Sequence, residues 1–159
     1  KLKVVALERD PVAVALSMLG RGNIPGEEGG NKWFLDPRAT RNIIKMEKTL
    51  YENPRFAHDF YKCLWYWYEV EARINHLKLK HKDIFMYKIH TEELSSRDKI
   101  SEMFTALGID IDADRLHYYA GYRSNLKISK KSNNIGIEDI YQMNSNIKRL
   151  ISCRTKNEI

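Results

Sequence analysis

Two side chains near the start of the chain have the types and spacing to hold an anion. Arg9 lies in "VVALERDPVAVALSMLGRG", Val4 to Gly22, and Ser17 follows eight residues later. A guanidinium is a planar fork that matches two phosphate oxygens, and a hydroxyl adds a neutral donor. The plainer roles are an Arg9 paired with Glu8 or Asp10, and a Ser17 that is merely small at a packing face. Other groups offer less. Glu8 at a strand end resembles the acid of a nucleotide hydrolase, but no Gly-Lys-Ser/Thr phosphate loop accompanies it. Asp110, Asp112 and Asp114 alternate as in a calcium loop, yet Arg115 stands where the turn glycine belongs and Gly121 where the last carboxylate belongs. They read as a helix cap. His76 and His81 are too far apart for a zinc pair on one helix face, so no metal is expected. Cys63 and Cys153 read as free thiols.

The elements that must position Arg9 and Ser17 are legible around them. Lys3 to Leu7 reads as a buried strand, because Val4 to Leu7 are apolar in succession. Asp10 suits an N-cap and Pro11 the first helical position. A helix follows to Leu19, and Gly20 and Gly22 stop it. Free backbone N–H groups and the positive end of the helix dipole are expected at this corner, beside Arg9. Ligands of open α/β sheets lie beyond the carboxyl ends of strands, where the corner falls.

Further on, Gly20 to Gly30 reads as a functional or mobile loop. A helix is expected from Pro37 or Arg38 to Tyr51, with Asp36 as its cap. A long helix is expected from Arg55 to Lys80. In it Phe60, Leu64, Trp67, Glu71 and Ile74 share a face; Glu69 and Glu71 read either as two surface charges or, on this face, with Glu71 as the buried and paired acid. "DIFMYKIH", Asp83 to His90, reads as a second strand. Helices are expected over 96–107, 112–119 and 137–151, with Gly108 ending the first. Two strands separated by long helical sequence imply a parallel α/β sheet whose other strands come from elsewhere.

The length, 159 residues, suits one domain, or one large piece of a domain, over residues 1–159. The chain is 43% hydrophobic and 30% charged, with 27 Lys and Arg against 21 Asp and Glu, a net charge of +6. That balance suits a globular fold with an anionic partner. No apolar run reaches the ~20 residues of a membrane helix.

"RDPVAVALS" resembles the segment of PAPS-dependent sulfotransferases that binds the 3′-phosphate of 3′-phosphoadenosine 5′-phosphosulfate. "CLWYWYEVEARINHLK" resembles their later Trp- and Glu-bearing helix. "DIFMYKIHTEELSSRDKISEMFTALGI" resembles a following strand, acidic turn and short helix. The likeness covers Lys1 to Tyr119. It implies the C-terminal part of a P-loop-type three-layer α/β fold with a parallel sheet, helix-rich in this portion. It implies PAPS as co-substrate, no metal, and transfer of a sulfuryl group to a hydroxyl or amine of a small-molecule, glycan or protein acceptor. Arg9 and Ser17 would contact the 3′-phosphate, with Arg123 or Lys127, or else Lys130 or Lys131, from a later basic stretch. The Gly20–Gly30 loop and Trp33 would lie near the acceptor. Thr91 stands where many relatives have a tyrosine near the adenine. The family's phosphosulfate loop, its lysine and its base precede the matched segment, so this chain alone is expected to be inactive or a weak nucleotide binder. Small-molecule members are cytosolic, and glycan or protein members are lumenal in the Golgi, so no compartment is assigned. The alternative is a non-catalytic basic module for RNA or an acidic polysaccharide; the main reading has no nucleic-acid partner.

Overall fold

The apolar run at the start forms a strand, β1 (Lys3–Glu8), which pairs in parallel with β2 (Phe85–His90). The register sets Lys3 opposite Phe85 and Glu8 opposite His90, so the two carboxyl ends lie side by side. This computed structural model describes residues 2–28, 34–112, 115 and 135–155, with backbone alone at 154 and 155. Among the described residues five helices stand between and after the strands: α1 (Pro11–Gly20), α2 (Glu47–Glu52), α3 (Asp59–Lys80), α4 (Arg97–Leu107) and α5 (Ile137–Thr155). Two short 3-10 turns, Pro54–Phe56 and Thr91–Ser95, complete the described elements. The chain is therefore helix-rich with a small parallel sheet, a mixed α/β arrangement.

The chain divides into two compact units. The first comprises Lys1–Arg9 and Ile74–Ile128, the second Asp10–Arg73 and Ser129–Ile159. In the first, α4 packs on β2 and the buried apolar residues are Ala6, Ile89, Ile100 and Leu107. Ser96 caps α4 by accepting the Lys99 N–H, and Gly108 ends it in the left-handed region at φ 64°. A side chain there is strained, so glycine is the natural stop. The Lys3 ammonium donates to the Leu107 carbonyl at the same helix end, which favours a cation. Leu7 on β1 is 55% exposed, and Leu2, Val5 and Phe85 are exposed as well.

The second unit holds the main core. Met46, Leu50, Phe60, Cys63, Leu64, Trp65 and Ile147 are almost wholly buried, joined by Ala15 and Met18 of α1. Residues 60–65 of α3 are buried in succession, so that part of the helix is surrounded rather than laid on a surface.

Two sequence expectations are corrected here. The helix expected from residue 37 to 51 is only α2; residues 37–46 are turns, bends and irregular backbone. Asp36 does accept the Arg38 N–H at 2.9 Å, but it closes a turn and caps no helix. The buried acid of α3 is Glu69, fully buried, while Glu71 is only half-buried. Both corrections have one cause. The backbone at Ile43 and Ile44 is not hydrogen-bonded into a helix, and its N–H groups donate to the two Glu69 oxygens at 3.0 and 2.7 Å. The Ile44 carbonyl accepts the Trp65 indole N–H at 3.0 Å. Tyr61, Trp65, Glu69 and Arg73 follow at four-residue steps, so the inward line of α3 runs through Trp65 and Glu69 rather than Trp67 and Glu71.

Candidate anion-binding residues at the carboxyl edge of the sheet

In the first unit, parallel pairing gathers charged groups at one edge. Glu8 and His90 end their strands opposite each other, Arg9 follows β1, and Thr91–Ser95 follows β2. The Lys88 ammonium donates to Glu8 at 2.5 Å, and His90 Nε2 lies 3.6 Å from the same carboxylate. Glu93 accepts the His90 backbone N–H at 2.9 Å and so fixes the turn. A hydrogen bond from its own backbone N–H holds the Glu92 carboxyl below its ordinary value, with further help from the Thr91 hydroxyl and the charges of Arg9 and His90. Arg9 thus faces the acidic turn electrostatically, across the carboxyl ends of both strands. Its side chain is exposed. The edge mixes three basic and three acidic side chains, and Glu8 is committed to Lys88.

Asp10 and Ser17 belong to the second unit. Asp10 caps α1: its carboxylate accepts the Ala13 N–H at 2.7 Å, and its carbonyl accepts the Val14 N–H. Pro11 has no N–H. The cap therefore takes one of the donors at this corner, the Ala13 N–H, and places a carboxylate at the helix start. Ser17 is half-buried, near the end of the second turn of α1. Arg123, Lys127, Lys130, Lys131, Trp33 and Asp114 lie outside the described residues, as does nearly all of the helix expected over 112–119.

Sequence reasoning missed the polar cluster built by residues 26–62. Lys62 donates to Glu27 at 2.5 Å and to Asp59 at 3.1 Å, and its ammonium lies 4.8 Å from the centre of the Tyr51 ring. Burial works against that charge, but the two carboxylates outweigh it and hold Lys62 above its ordinary value. Arg38 pairs with Asp36, donates to the Gly26 carbonyl at 2.7 Å and stands 5.3 Å from the same ring. Only the Asp59–Lys62 spacing was visible beforehand. Among the described residues no group of three His, Cys, Asp or Glu side chains is placed to hold a metal ion, and no helix is long and apolar enough to cross a membrane.

No protein-family model, curated protein or solved structure matches the chain.

Proposed function

We propose that this chain is part of a PAPS-dependent sulfotransferase and contributes to holding the 3′-phosphate of the cofactor. The observation that carries the reading is the placement of Arg9. It directly follows a strand at the carboxyl edge of a parallel pair, and a proline-started helix follows it. Open α/β sheets bind ligands at this edge. By the resemblance, Arg9 supplies the charged contact and Ser17 a neutral one, with Arg123 or Lys127 as later basic contributors. A P-loop-type fold belongs to the same proposal. The reaction it implies breaks the bond between sulfur and the bridging phosphate oxygen and forms one to an acceptor oxygen or nitrogen, whose proton is lost. Positioning and charge stabilisation dominate such transfers. Binding at the 3′-phosphate orients the cofactor from a point remote from sulfur.

Calorimetric titration with adenosine 3′,5′-bisphosphate tests this. Arg9→Ala is expected to weaken binding by about tenfold or more, since hydrogen bonds to phosphate from a guanidinium are worth roughly 1.5–3 kcal/mol. Ser17→Ala is expected to cost less. Undiminished affinity in Arg9→Ala sinks the proposal. Absence of nucleotide binding, together with RNA binding that falls steeply with salt, favours the basic-module alternative, for which the +6 charge speaks.

A further inference from the structure

We propose a second anion site, within the second unit, that takes a phosphate or sulfate ester carried on a small apolar body. It lies between the turn Pro54–Phe56 and α5, where a cavity of about 240 Å³ is lined by Arg55, Phe56, Asn146, Arg149, Leu150 and Cys153. Both walls are built by simple local rules. Asn53 accepts the Arg55 N–H at 3.0 Å and starts the turn, and Phe56 is buried and anchors it. The Arg55 guanidinium lies over the Phe56 ring, 5.7 Å from its centre, which restrains it at the cavity. On α5 the lining residues fall at 146, 149, 150 and 153, the spacing of one helix face.

The charge around this cavity is one-sided. Two guanidinium groups line it, and among the described residues no carboxylate does. Neither arginine is in an ion pair with a described residue. The adjoining cavity, about 460 Å³, shares Arg55 and Asn146 but is lined by Asp139 and His58 as well, so the acid belongs to the neighbour. Two like charges directed at one small space attract an anion. The number of forks selects its class. One guanidinium already fills both oxygens of a carboxylate, whereas a phosphate or sulfate monoester offers three terminal oxygens and can use two. Phe56 and Leu150 supply an apolar floor for the group that carries it; the Asn146 amide already donates to the Tyr61 hydroxyl at 3.4 Å and accepts from Gln142 at 2.9 Å, which leaves one N–H to donate. The site contains none of the residues assigned to the 3′-phosphate and does not depend on that assignment.

Cys153 supplies the readout. It is exposed and lines the cavity, whereas Cys63 is buried and its thiol is pushed up to about 12, chiefly by that burial. Alkylation of the full chain by neutral iodoacetamide, followed by peptide mass spectrometry, therefore reports on Cys153. The probes are phenyl phosphate and phenyl sulfate, at an ionic strength matched with chloride. At saturation, at least one ester is expected to slow Cys153 alkylation about fivefold or more. The more protective ester identifies the source of the group. Arg55→Gln and Arg149→Gln are each expected to remove most of the protection, and Arg55→Lys to leave part of it, because charge survives and the fork does not. Arg9→Ala is expected to retain full protection, so failure here and failure at the nucleotide site are separable. The proposal is overturned if neither ester protects at about 10 mM, a concentration that still reports millimolar affinity. Equal protection in both glutamine variants overturns it too.

Discussion

Glu69 has no exposed surface, and its two oxygens accept from Ile43 N–H, Ile44 N–H and Arg73 Nε, the last at 2.7 Å. Arg73 also donates to the Asn42 side chain at 3.1 Å, so one carboxylate ties α3 to an irregular segment. Removing it strands two backbone donors and leaves Arg73 with Asn42 and the Arg41 carbonyl alone. Glu69→Ala is expected to cost about 1–3 kcal/mol in urea unfolding, the range for leaving buried donors unsatisfied. Tyr51 presents the opposite case. Its hydroxyl is buried with no hydrogen-bond partner among the described residues, and burial raises its pKa. Tyr51→Phe removes an unsatisfied group and keeps the ring between its cations. It is expected to leave stability unchanged or raise it by about 1 kcal/mol. Beside it, Gly26 sits at φ 83°, and a Cβ there would fall onto the Tyr51 hydroxyl and crowd Pro37. Gly26→Ala is therefore expected to destabilise through both strain and overlap, by about 1–3 kcal/mol in the same assay.

At the scale of elements, Asp36 shows how local chemistry was read correctly and its consequence was not. Its carboxylate organises a turn with Arg38, whose guanidinium holds it below the ordinary value of 3.8. In the window between the folded and ordinary values, the unfolded chain binds more protons. The contribution is thus present above about pH 4 and is lost as pH falls through the folded value. Asp36→Asn is expected to flatten the fall in stability on acidification below about pH 4, followed by urea midpoints at each pH.

Elements marked by strong local signals were legible in the sequence. β1 had an unbroken apolar run and β2 an apolar run broken only by Lys88, though both strands are more exposed than the buried strands those runs suggested; α1 had Asp10 and Pro11, and α4 had Ser96 and Gly108. The segment 37–46 was not legible, because its backbone partners are side chains from residues 65 and 69, which no local window contains. The same holds for the sites. Arg9 stood out by its place before a proline, whereas Arg55 and Arg149 come together only through the packing of α5.

For the whole molecule, the division into two units carries a prediction about dynamics. The second unit holds the large contiguous core, and the first buries few apolar side chains among its described residues. Local opening follows buried contact density. Amides of β1 and β2 are therefore expected to exchange hydrogen faster than those of residues 60–69 in α3. Equal protection of both sets, measured by peptide-resolved exchange, would contradict it.

The parallel pairing of Lys3 with Phe85 also constrains how the chain is made. β1 finds β2 only after some eighty further residues have been synthesised, a delay on the order of ten seconds at ordinary elongation rates. Throughout that interval Val4, Val5 and Leu7 present an apolar strand with unpaired amides. Such a segment is a natural client for a holding chaperone and a natural nucleus for aggregation. Heterologous yield should then respond more to chaperone supply and translation speed than to substitutions in the well-packed helices.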